Sequence, residues 1–152
     1  MSSPPEASQA DPVGTRGSQV NYAAVRDLWA WLLPGYLLTI AIETPVLLVF
    51  LSPPHRWTRR IAAGAWLTAC TYPVVVIAMP VLLGMEPRWR YLAVAETFAP
   101  VAECVLFTLA FQSAELRTRD RLRDWAAITV ANLSSFILGE WCWNRGWLTW
   151  LS

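Results

Sequence analysis

A chain of 152 residues is long enough for one soluble domain, but 55% hydrophobic residues, 10 Trp and a mean hydropathy of +0.36 place this one among membrane proteins. The formal net charge is only +1, with the charges gathered in short segments between apolar runs, which excludes the basic surface of a nucleic-acid-binding protein. Cys70, Cys104 and Cys142 lack CxxC spacing and fall in apolar runs, so they read as small buried hydrophobes rather than a disulfide framework or a zinc site.

Residues 1–21 are rich in Ser, Pro and Gly and hold no apolar signal-peptide core. They are expected to form a disordered tail, leaving 22–152 as a single membrane domain. Four apolar runs follow, about Leu28–Leu51, Ile61–Leu83, Tyr91–Phe111 and Trp125–Trp143, each long enough to cross a bilayer as a helix. The expected fold is therefore all-α, an integral membrane four-helix bundle with both termini on one side. Pro34, Pro45, Pro73, Pro80 and Pro100 lie inside the runs and are tolerated in lipid, with a kink expected near Pro45.

Trp29, Trp31, Trp57, Trp89, Trp125, Trp141 and Trp143 fall at or near the ends of the runs, the aromatic belt of a membrane interface. Arg56, Arg59, Arg60, Arg117, Arg119, Arg121 and Arg123 lie on one side, against Arg16, Arg26, Arg88, Arg90 and Arg145 on the other. By the positive-inside rule the first and third loops face the cytoplasm of an inner membrane and both termini face out. No internal repeat is evident in the sequence.

Four carboxylates interrupt the runs: Glu43 in the first, Glu96 and Glu103 in the third, and Glu140 near the end of the fourth. A charge at the bilayer centre costs about 3 kcal/mol on the lenient insertion scale, so these groups should face inward. Helical spacing supplies each with polar company. Tyr36, Thr39 and Glu43 share a face, as do Gly64, Thr68 and Thr71, and Asn132, Ser135 and Gly139. A rise of about 1.5 Å per residue sorts them into two layers. Glu43, Glu103 and Asn132 fall within roughly 5 Å of the midplane with Thr68 and Thr71 nearby, whereas Glu96 and Glu140 lie roughly 7 to 9 Å toward the other side, with Tyr36 as a neighbour.

With no Lys, Arg or His inside the runs at those depths, the carboxylates must hold protons, share them, or bind an external cation. The residues read as proton or metal ligands are Glu43, Glu96, Glu103, Asn132 and Glu140, with Tyr36, Thr68, Thr71 and Ser135 in support. Cation or proton handling is the leading functional reading, and a hard divalent cation is the metal such oxygen ligands would suit. A non-catalytic assembly subunit is the alternative, its Gly64, Ala99 and Gly139 packing on a larger partner or a second copy. A membrane enzyme acting on a lipid or quinone is the third reading, disfavoured because the one histidine, His55, reads as a loop residue at the interface without a catalytic partner.

Overall fold

The structure, a computed structural model, describes residues 22–84, 87–111 and 117–146. The expected N-terminal tail lies outside these residues, as do the side chains of Trp29, Trp31 and Trp143. No strand occurs among the described residues, which form α1 (Tyr22–Phe50), α2 (Trp57–Pro73), a π-helical turn (Val74–Ala78), α3 (Met79–Leu83), α4 (Arg88–Phe111) and α5 (Thr118–Asn144).

The segment from α2 through the π-turn to α3 is one rod, so the bundle has four rods in a square. α1 packs on α2 and α5, and α4 packs on the same two, which leaves α1 diagonal to α4 and α2 diagonal to α5. Three rods, Leu32–Phe50, Trp57–Leu83 and Arg88–Phe111, are long and apolar enough to cross a membrane. α5 is long enough at 27 residues but not apolar enough to stand with them. Its apolar run begns only after two turns bearing Arg119, Asp120, Arg121, Arg123 and Asp124, which belong to the helix rather than to a loop before it. The outer faces of all four rods, including α5, nonetheless expose large apolar side chains such as Leu37, Leu82, Leu109 and Ile137. Cys70 is exposed and Cys142 half-buried, against the expectation of buried filler, whereas Cys104, half-buried, packs against the core.

α1 and α4 run unbroken through their internal prolines. The departure from α-helix comes instead after Pro73, where the amide of Met79 reaches back to the Val74 carbonyl. In that wider register the carbonyl of Val75 would pair with residue 80, but Pro80 has no N–H to give. The Tyr91 hydroxyl donates to it instead, at 2.8 Å, tying α4 to the π-turn.

The half of the bundle nearest the α1–α2 loop is solid. Leu47, Leu51, Ala63, Leu67, Phe107, Ala127, Ile128 and Ala131 are buried together there. Gly64 allows the approach of α1 to α2, since a Cβ on it would stand 2.5 Å from Thr44 Oγ1 and 3.3 Å from Thr44 Cα.

The two hairpins, α1 with the α2 rod and α4 with α5, repeat a pattern that the sequence conceals. Glu43 and Leu47 in α1 are matched by Glu103 and Phe107 in α4, and Ala63, Leu67 and Thr68 in α2 by Ala127, Ala131 and Asn132 in α5. All of these are buried. Only the Glu and Ala members of these pairs are identical, which is why no repeat was legible.

Gly64→Ala is expected to push α1 from α2 and cost about 1 to 3 kcal/mol, read as a lower unfolding temperature of purified protein in detergent. Gly139→Ala serves as the contrast, because no atom stands within 4 Å of the added Cβ, and should leave that temperature unchanged.

Candidate functional site

Where the solid half of the bundle ends, two carboxylates close all four sides of the square. Glu43 on α1 accepts from Thr68 Oγ1 on α2 at 2.8 Å and from Ser135 Oγ on α5 at 2.7 Å. Glu103 on α4 accepts from Thr71 Oγ1 on α2 at 2.7 Å and from Asn132 Nδ2 on α5 at 2.8 Å. Both carboxylates are 2% exposed, and each oxygen takes one donor. The connectivity has two-fold character: each Glu takes the first donor of its own hairpin, Thr68 or Asn132, and the second donor of the other, Ser135 or Thr71. Local sequence explains the aim, since donors three residues apart on α2 and on α5 lie on one helical face.

The three hydroxyls each have a second acceptor. Thr68 Oγ1 is 2.8 Å from the Gly64 carbonyl, Thr71 Oγ1 is 3.1 Å from that of Leu67, and Ser135 Oγ is 2.9 Å from that of Asn132. A hydroxyl has one proton and two lone pairs, so it can donate to the carboxylate or turn to the main chain and accept from a carboxylic acid. Either oxygen of Glu43 can thus carry a proton against a hydroxyl. On Glu103 only the oxygen facing Thr71 can do so, because Asn132 is a fixed donor, its other N–H going to the Ile128 carbonyl at 3.1 Å. Protonation and deprotonation require hydroxyl rotation alone, with no broken helix contact.

Above this layer, away from the solid half, lies a cavity of about 410 Å³. Its lining runs from Glu43 and Glu103 past Glu96 to Arg88 and Glu140, with Tyr72, Tyr91 and Phe136 in its walls. Glu140 is ion-paired with Arg88 near the surface, so it has the counter-cation that the sequence denied it: Arg88 starts α4 and its long side chain reaches across to α5. Glu96 accepts no hydrogen bond from any described side chain. Tyr36 does not join Glu96 or Glu140, since its hydroxyl donates to the Ala65 carbonyl at 3.0 Å and its ring lies 6.2 Å from that of Tyr72.

Neither cysteine near the carboxylate layer lines the cavity; Cys70 faces outward and Cys104 donates weakly to the Trp125 carbonyl. No group of three or more His, Cys, Asp or Glu stands close enough to share a metal ion among the described residues. The small residues read as a partner face are used within the bundle: Gly64 packs on Thr44, and Ala99 and Gly139 line the cavity.

His55 corrects its reading most sharply. It is 3% exposed rather than interfacial, with Nε2 2.9 Å from Oδ2 of Asp124, itself 0% exposed. The Ser52 amide donates to the other Asp124 oxygen at 2.8 Å, and Phe107 meets the imidazole edge-on at 5.2 Å. The turn Ser52-Pro53-Pro54-His55, closed by the His55 amide on the Ser52 carbonyl, aims both groups at α5. Arg60 donates to the carbonyls of Leu48, Ser52 and His55, and Arg123 to that of Phe50 at 2.8 Å. Two guanidinium groups thus cap the C-terminal end of α1. The spacing S-x-x-H was visible in sequence, but Asp124 lies 69 residues beyond His55, and nothing local pairs them. Buried and not among the residues that line the cavity, His55 and Asp124 lock the turn after α1 to α5.

Comparison of the chain with protein-family models, curated proteins and solved structures finds no match.

Two outcomes check the layer and the lock. Glu43→Leu or Glu103→Leu removes two interhelical bonds and should cost about 1 to 3 kcal/mol in thermal unfolding, whereas Glu→Gln, which keeps an acceptor and lets the hydroxyls turn to the main chain, should cost less than half of that. At Asp124, in the charged turns ahead of the apolar part of α5, burial alone would raise the carboxyl, but the bonds from His55 and Ser52 outweigh it and hold it below the usual carboxylate range. A depressed folded pKa contributes stability that is complete above about pH 4 and lost as pH falls through the lowered value. Wild-type protein should therefore lose more stability than Asp124→Asn between neutral and strongly acid pH in denaturant titrations.

Proposed function

We propose that this chain is a four-span inner-membrane protein whose Glu43–Glu103 layer takes up and releases protons, reached from one membrane side through the cavity. The observation that carries the reading is the hydroxyl geometry: each of three hydroxyls stands between a carboxylate oxygen and a main-chain carbonyl, at 2.7–3.1 Å from both. Thr97, Thr108, Thr129 and Ser134 also reach back to a main-chain carbonyl; what sets Thr68, Thr71 and Ser135 apart is that each also faces a buried carboxylate, and ionisable groups within a membrane are functional by default. The exposed apolar face of α5 supports a fourth span, its polar content being turned inward to the layer.

The packed core below the layer and the cavity above it give protons access from one side only in this conformation. The positive-inside rule, with seven arginines at the loop end, makes that open side the exterior. Glu96, between the mouth and the layer, is the intermediate station. The enzyme reading gains no histidine in the cavity, because His55 is bonded to Asp124 and neither lines it.

In liposomes carrying an internal pH indicator, wild-type protein should pass protons down an imposed gradient, and Glu103→Gln should reduce that flux to the level of protein-free vesicles. Unchanged flux through a Glu103→Gln protein that unfolds at the wild-type temperature would sink the reading.

A further inference from the structure

We propose that the cavity binds a hydrophobic organic cation, held at Glu96 between Tyr72, Tyr91 and Phe136, as the species exchanged against the protons of the Glu43–Glu103 layer; the exchange, though not the binding, rests on the proton-handling reading. The cavity volume, about 410 Å³, lies in the range of sites for organic molecules and far exceeds what a bare ion needs. The space is made by what the helices leave out. Ala95, Ala99 and Gly139 line it, and a Cβ at Gly139 would meet no neighbouring atom within 4 Å, whereas the missing Cβ of Gly35 makes room for the Tyr72 hydroxyl.

Its charge selects the ligand. Four carboxylates and one guanidinium line the cavity, and the guanidinium is already paired with Glu140 at the surface. Each oxygen of Glu43 and Glu103 already accepts from Ser, Thr or Asn. Among the described residues, Glu96 is the carboxylate left without a donor, in walls that are otherwise mostly apolar. When Glu96 is ionised, a neutral lipid or quinone would leave that group unanswered, and an anion would be repelled by it. A cation with apolar substituents satisfies both, because aromatic faces attract positive charge and bury carbon. Tyr91 is held in the wall by its bond to Val75, so that ring stands in place before a ligand arrives.

The mechanism of exchange needs only Coulomb's law. A cation at Glu96 raises the potential at the layer and favours release of a proton from Glu43 or Glu103; proton uptake there restores the neutral floor and weakens the hold on the cation. No covalent step is involved.

The test uses full-length protein in nonionic detergent, with tetraphenylphosphonium as probe and triphenylphosphine oxide as its neutral counterpart, each followed by equilibrium dialysis against protein-free micelles. Wild-type protein should bind the phosphonium at least about tenfold more tightly than the oxide, and Glu96→Gln should abolish that preference. Gly139→Leu should weaken binding of both by filling the cavity, without lowering the unfolding temperature. Equal binding of the two probes by wild-type protein, or a preference that survives in Glu96→Gln, would overturn the proposal. Proton release on phosphonium binding, absent in a Glu43→Gln, Glu103→Gln double variant, supports the coupling. Selective binding without proton release leaves the cation site standing and removes the exchange, whereas proton flux without selective binding removes the cation site and leaves the proton-handling reading standing.

Discussion

The structure depends on two carboxylates that each bridge two helices across a corner of the same square. Because α1 and α4 are diagonal, neither Glu alone could tie the bundle together; with Thr68, Thr71, Asn132 and Ser135 they bond every adjacent pair once. In lipid there is no hydrophobic force between helices, so such bonds and close packing at small residues hold them in place. The Gly64–Thr44 approach supplies the second kind between α1 and α2.

The layer also divides the bundle into unlike halves. Toward the α1–α2 loop, Leu, Ala, Ile and Phe side chains fill the space; on the other side Gly and Ala leave it open between tyrosine and phenylalanine walls. The solid half carries the His55–Asp124 lock and the arginine caps, which satisfy carbonyls that a helix end cannot pair for itself. Arginines that count toward orientation thus have a second duty as hydrogen-bond donors. The open half carries the π-turn, where Pro80 removes a donor and Tyr91 replaces it. Wide turns of this kind recur beside functional sites, and this one lies in the cavity wall.

Two hairpins with matching carboxylate, donor and core positions build this arrangement twice in one chain. The match is of roles: Thr68 and Asn132 both donate to the carboxylate of their own hairpin although one is a hydroxyl and the other an amide. The substitution matters chemically, since it leaves Glu43 two reversible partners and Glu103 one. Each carboxyl group still takes one proton, with either oxygen of Glu43 facing a hydroxyl and only one oxygen of Glu103 doing so.

Composition and hydropathy alone carried the helical class and the three runs long and apolar enough to cross a membrane, because apolar helices of that length satisfy their own main-chain groups in lipid, while α5 begins at Thr118, seven residues ahead of its apolar run. Helical periodicity placed Thr68 with Thr71 and Asn132 with Ser135, because these relations lie within one helix, and axial rise put Thr68, Thr71 and Asn132 at the level of Glu43 and Glu103. What required the tertiary structure were relations between helices: which helices are diagonal, that Arg88 reaches Glu140, that His55 is buried on Asp124, that the hairpins repeat, and that a cavity stands on one side of the carboxylates. Pairing across a bundle depends on rotation and neighbour order of rods, and periodicity carries neither.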